Sequence, residues 1–147
     1  MRNLLLASLL VTLAAGPALA QDRKVISTPN APEAIGPYSQ AIRAGKTIYL
    51  AGQIAIDPKT KDLKKGTIEE ETNLVLENLQ AVLAAEGLGM EHIVSTSVFL
   101  KDLNEFGKMN GVYATFFKSN PPARATVEVA RLPRDVKVEI SAIAVAP

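Results

Sequence analysis

The amino-acid sequence predicts an α+β fold, a sandwich in which two helices cover one face of a mixed β-sheet. Three observations predict it. Strand candidates and helix candidates follow one another in the order strands, helix, strand, helix, strands, which places the helices in one layer. The last strand candidate, Val136 to Val145, puts Val136, Val138, Ile140, Ala142 and Ala144 on one face, yet its other face, after Lys137, Glu139 and Ser141, also turns apolar at Ile143 and Val145. Two helices cover only one face, so another subunit is expected on the second. Finally, a chain of 147 residues, 48% hydrophobic, with no internal repeat or long linker, supports one core, and a single domain is expected over residues 21–147.

Val25-Ile26-Ser27 reads as a short strand, and the prolines of Pro29-Asn30-Ala31-Pro32 and Gly36-Pro37 then turn the chain into an ordered loop. Gln40 to Ala44 and Thr47 to Gly52 flank Gly45-Lys46 as a tight hairpin, and 57–61 is a polar turn. Thr67 and Glu70 have capping-box spacing, and Ile68, Val75, Leu79, Val82 and Leu83 recur at helical intervals as far as Gly87. Ile93 to Leu100 reads as a buried strand. A second helix is expected from Asp102, capped with Glu105, carrying Phe106, Met109, Tyr113 and Phe116 on one face. Gly107 and Gly111 weaken it by about 1 kcal/mol each relative to Ala, which close packing on the sheet is expected to offset. Asn120-Pro121-Pro122 ends it, and strands Ala125 to Ala130 and Val136 to Val145 follow.

Composition excludes several function classes. With 16 Lys+Arg against 15 Asp+Glu there is no basic balance for nucleic acid, and Lys59, Lys61, Lys64 and Lys65 lack interleaved aromatics and read as a solvated turn. No cysteine and a single histidine, His92, leave no thiolate chemistry and little for a zinc site. Catalysis would therefore run on carboxylates, hydroxyls, Arg, Lys, Tyr or backbone groups. Met1 to Ala20, with Arg2 ahead of an apolar run and Ala18-Leu19-Ala20 at its end, reads as a secretory signal peptide. A soluble periplasmic or secreted product without a membrane anchor is expected from it, beginning at Gln21 with 15 basic and 15 acidic groups.

Arg124, among small and apolar neighbours at the start of a strand, suits bidentate recognition of a carboxylate, or equally an ion pair with a structural acid. Glu139 is an acid on a strand otherwise patterned for burial, either a proton-exchanging group or one end of a salt bridge. Tyr38 rides a stiff loop behind Gly36-Pro37 and can close a pocket. Gly52 permits close backbone approach to a ligand or simply forms a turn. Asn110 is a helix amide that spacing alone does not assign. Glu69, Glu70 and Glu71 complement a helix N-terminus.

In order along the chain, Asn30-Ala31-Pro32-Glu33-Ala34-Ile35-Gly36-Pro37-Tyr38-Ser39-Gln40-Ala41, Gly52-Gln53-Ile54, Val98-Phe99-Leu100-Lys101-Asp102-Leu103, Pro122-Ala123-Arg124, Val127-Glu128-Val129-Ala130-Arg131-Leu132-Pro133 and Val138-Glu139-Ile140 strongly resemble the RidA family (YjgF/YER057c/UK114) of reactive-intermediate deaminases. The resemblance implies a chorismate-mutase-like (bacillus-type) fold, a homotrimer whose sheets form a central barrel, and ligand clefts between subunits. It implies hydrolysis of 2-imino acids or their enamine tautomers to 2-oxo acids and ammonia, with neither metal nor organic cofactor. By the same resemblance Arg124 holds the substrate carboxylate, Glu139 handles the protons of the attacking water and departing ammonia, and Tyr38 lines the pocket. Gly52, Thr126 and Asn110 are implied at substrate-binding positions. Thr126 stands where many members have Cys, Ala51 where many have Ser, and the link before Pro122 looks shorter than in many relatives. A non-catalytic trimeric ligand-binding or chaperone-like protein of the same fold is the alternative, and a ribonuclease is disfavoured by the charge balance.

Overall fold

The computed structural model describes residues 22–147, and the expected signal peptide lies outside them. Six strands form one mixed sheet: β1 (Arg23–Ile26), β2 (Ala41–Ala44), β3 (Thr47–Gln53), β4 (Ile93–Leu100), β5 (Ala123–Glu128) and β6 (Val138–Val145). Their spatial order is β1-β2-β3-β6-β4-β5, antiparallel throughout except for the parallel pair β4 and β5. Helices α1 (Ile68–Ala84) and α2 (Phe106–Phe116) lie on one face, as the element order predicts.

The predicted hairpin forms at Gly45, whose φ of 60° lies in the left-handed region that glycine adopts without a Cβ penalty. At the start of α1 the capping box is complete: the Glu70 amide donates to Thr67 Oγ1 at 3.2 Å, and the Thr67 amide to Glu70 Oε2 at 2.9 Å. The apolar stripe of α1, Ile68, Val75, Leu79, Val82 and Leu83, is buried together with Leu76 against Ile48 and Leu50 of β3 and Val138, Ile140, Ala142 and Ala144 of β6. A smaller cluster of Ile54, Ile56, Leu132 and Val136 packs beneath the loops at the end of β3.

Several expectations are corrected. α2 begins at Phe106 behind a 3-10 turn (Leu103–Glu105), and no capping box forms at Asp102. Asp102 accepts instead from the Asn104 amide at 2.9 Å, while Lys137 Nζ draws the Glu105 carboxylate away at 3.2 Å. Gly107 and Gly111 do not mark close packing, since a Cβ on either would meet nothing within 4 Å. Glu71 does more than complement the α1 dipole: only 2% exposed, it accepts from the Lys137 amide at 2.8 Å and the Gly66 amide at 3.3 Å, tying α1 to the start of β6. β5 begins at Ala123, directly after the prolines, and ends at Glu128.

The face of the sheet opposite the helices is open in the single chain. Tyr49 (51% exposed), Val145, Val127 and Val25 stand exposed on it, with Ile143 partly covered. The apolar second face read from β6 therefore extends across the sheet, a surface of the kind subunits bury.

Candidate functional site

Register decides which predicted residues can meet. Arg124 pairs with Thr96 of β4, and Thr96 with Ala142 of β6. Thr96 and Ala142 are both buried under the helices, so Arg124 projects to the helix side. Thr126, in line with Val98 and Ile140, projects the same way. Glu139 pairs with Phe99, and Phe99 with Val127, which puts Glu139 on the open face. Within one chain, Arg124 and Glu139 thus belong to opposite faces of the sheet.

On the open side, Tyr38, Gly52 and Glu139 come together in a cavity of about 440 Å³ that Ile35, Gln53 and Pro133 also line. Tyr38 is held in the loop by its own backbone, its amide donating to the Gly36 carbonyl at 2.8 Å, and its hydroxyl accepts from the Ile35 amide at 3.3 Å. The loop in turn hangs on buried Gln40. Its side chain donates to the carbonyls of Thr28, Ala31 and Pro32 and accepts from the Thr28 amide, while its main-chain carbonyl accepts from Ala51 at 3.0 Å. One residue, through its side chain and its main-chain carbonyl, therefore ties the wall carrying Tyr38 to the strand end carrying Gly52. A Cβ on Gly52 would sit 2.9 Å from Glu139 Cδ and closer still to Oε1, so the absent side chain is what lets the carboxylate lie over β3. Glu139 has no protein hydrogen-bond or ion-pair partner among the described residues, and burial pushes its carboxyl above the ordinary range.

On the helix side, Arg124 lies over two rings of α2, its Cζ 4.5 Å from the Tyr113 centroid and 5.6 Å from that of Phe106. Tyr113 is buried, shares a 2.7 Å hydrogen bond with Thr96 Oγ1 and packs on Phe117 with ring centroids 4.5 Å apart. Burial raises its phenol pKa, against the opposing effects of the Thr96 hydrogen bond and of the Arg124 charge and hydrogen bond. Asn110, one turn beyond Phe106, is on the same side of α2. The Thr126 hydroxyl is buried with no partner among the described residues. From the sequence, Phe106 and Tyr113 are expected only on a packing face of α2, and their spacing of seven is the signal that both meet one neighbour.

The six predicted residues thus form two groups, Tyr38, Gly52 and Glu139 on one side, Arg124, Thr126 and Asn110 on the other. The first offers a half-buried carboxylate beside a cavity and the second a cation seated over two aromatic rings. Among the described residues there is no cluster of three or more acidic, His or Cys side chains arranged to hold a metal ion.

Residues 28–146 match the family model described as Endoribonuclease L-PSP. The chain is 54% identical over 122 residues to a RutC family protein of Pyrococcus horikoshii, covering 83% of this chain and 97% of that one. It is 50% identical over 123 residues to the 2-iminobutanoate/2-iminopropanoate deaminase of Mus musculus, covering 84% of this chain and 91% of the relative. The crystal structure of the YjgF gene product from E. coli superposes with a TM-score of 0.81 at 46% identity, covering 84% of this chain and 99% of that one. These similarities correct the expectation of a signal peptide and a periplasmic product. The matched region takes in nearly all of a mouse and an archaeal protein, organisms without a bacterial periplasm, and carries no support for export. The apolar run before Ala20 is a pattern of composition that nothing in the matched proteins joins to that location.

Proposed function

The chain belongs to the Endoribonuclease L-PSP family, the RidA (YjgF) family, and from that membership we propose that it is a 2-imino acid deaminase with sites completed between copies of a homotrimer. The observation that carries the proposal is the division of the site. Arg124 and Glu139 have complementary roles and neither is neutralised by a partner ion among the described residues, yet they occupy opposite faces of one sheet. Packing the open apolar faces of three chains around an axis brings the Glu139 group of one subunit to the sheet edge of its neighbour, where Arg124 lies on β5.

In this reading the substrate is a small 2-imino acid such as 2-iminopropanoate or 2-iminobutanoate, or its enamine tautomer, and no metal or organic cofactor takes part. The Arg124 guanidinium holds the substrate carboxylate through two parallel N–H donors. Water adds through oxygen to the C=N carbon while the Glu139 carboxylate accepts its proton, and the proton then passes to the nitrogen. The hydroxyl proton of the resulting carbinolamine passes through Glu139 to the same nitrogen, the C–N bond breaks as the C=O bond forms, and ammonia leaves a 2-oxo acid. Burial supports this role for Glu139, because a base whose pKa lies nearer neutrality transfers protons efficiently in both directions. Tyr38 closes the cleft, and backbone groups at Gly52 and Thr126 shape it, with Asn110 at its rim. The relative named as a 2-iminobutanoate/2-iminopropanoate deaminase supports the substrate class. A ribonuclease is not favoured, since 16 basic against 15 acidic residues provide no polyanion footprint.

The test is to generate imines in situ from several amino acids with an added oxidase and follow their loss. Wild type is expected to accelerate hydrolysis and Arg124→Ala to lose that acceleration while remaining an intact oligomer. Wild-type protein that is oligomeric and inert on every imine would overturn the proposal in favour of a ligand-binding or chaperone-like protein.

A further inference from the structure

We infer that Phe106 and Tyr113 form an aromatic seat that positions Arg124 and takes the place of a carboxylate partner, leaving the donor edge of its guanidinium to the carboxylate of the ligand. The inference deepens the deaminase reading and rests on it for the identity of that ligand. An arginine that is partly covered ordinarily finds an acid, and every ion pair among the described residues belongs to other cations: Lys24, Arg43, Lys61, His92, Arg131 and Lys137. Arg124 has ring faces instead, at 4.5 and 5.6 Å. A ring face attracts the cation through its quadrupole without using the N–H donors in the guanidinium plane, and even with the Tyr113 hydroxyl engaging Arg124 most of the five donors stay available.

The seat is built to stay in place. Tyr113 is held by the hydrogen bond its hydroxyl shares with buried Thr96 and by the Phe117 ring. Phe106 opens α2 seven residues earlier, so both rings lie on one side of the helix, and at 37% exposed it can be replaced without opening the core. An acid at either position would neutralise Arg124 and compete with substrate. With rings there, the cation remains uncompensated until an anionic ligand arrives, so the seat selects imines bearing a free carboxylate over neutral imines.

The test measures turnover of oxidase-generated imines together with calorimetric binding of 2-oxobutanoate, for wild type, Phe106→Leu, Phe106→Tyr and Phe106→Glu. Phe106→Leu is expected to raise KM and weaken 2-oxobutanoate binding by roughly tenfold, with kcat and thermal unfolding little changed. Phe106→Tyr should restore both, because it restores the ring face. Phe106→Glu supplies the missing acid and should abolish 2-oxobutanoate binding in a folded protein. Wild-type affinity in Phe106→Leu or Phe106→Glu, or a defect that Phe106→Tyr does not rescue, overturns the seat. Failure of the deaminase reading is distinguishable, since wild type would then leave all imines untouched while the binding arm still reports on the seat.

Discussion

Replacing Gly52 by Ala tests whether the position of the Glu139 carboxylate matters to the chemistry. The new Cβ would lie 2.9 Å from Glu139 Cδ and 3.1 Å from Cγ, with Oε1 nearer still. Carbon atoms rest at about 3.5–4.0 Å, so the carboxylate must retreat by at least about half an ångström, and its near oxygen by more. The backbone itself accepts alanine, because Gly52 is not among the residues at positive φ. Glu139 also gives up no protein hydrogen bond by moving, having none among the described residues. A displacement approaching 1 Å of a reacting group costs on the order of 100-fold in rate. Gly52→Ala should therefore lower kcat about 100-fold in the oxidase-coupled assay. KM should stay near wild type, because Arg124 projects from the other face, and melting temperature should move by no more than a few degrees. Wild-type kcat in a folded Gly52→Ala variant would refute the reasoning, and a large fall in melting temperature would show that Gly52 serves the fold instead.

Because burial raises the Glu139 carboxyl, the acidic limb of the kcat/KM profile should lie above the ordinary glutamate range, and Glu139→Gln should abolish that limb along with most of the activity. The same shift has a stability sign. With the folded value above the unfolded one, folding disfavours the ionised form, so stability falls as pH rises from the unfolded value through the folded one. Glu139→Gln should consequently melt higher than wild type at neutral pH and lose that advantage on acidification, as read by calorimetry across pH. Gly111→Ala should stabilise the protein by about 0.5–1 kcal/mol in denaturant titration, since its Cβ enters open space in a helix interior. Tyr49→Glu, on the exposed sheet face, should yield a folded monomer in sedimentation equilibrium and no deaminase activity, whereas an active trimer would contradict the proposed assembly.

Much of the fold was legible because local signals agreed with the global arrangement. The Thr67 and Glu70 spacing, the stripe through Ile68 and Leu79, and Gly45 in its hairpin each had one physical reading. The second apolar face of β6 announced the open side of the sheet. Three features were hidden because tertiary partners override local preference. Glu105 is drawn from its cap by Lys137, Glu71 is buried by the amide of a residue 66 positions away, and Gly107 and Gly111 face space. The site was legible as residue types and not as geometry. Alternation shows that Arg124 and Thr126 share one face of β5, but only the pairing of Arg124 with Thr96 and of Glu139 with Phe99 reveals that the cation and the acid are on opposite faces.

That opposition makes subunit complementation the most direct test of the account. Arg124→Ala and Glu139→Gln, each inactive alone, are mixed in equal amounts, unfolded, refolded together and assayed for imine hydrolysis. If every site combines Arg124 from one subunit with Glu139 from its neighbour, random assembly leaves about a quarter of the sites with both groups intact, and about a quarter of wild-type activity should return. Refolded mixed trimers with no more activity than the separate variants would contradict the shared site.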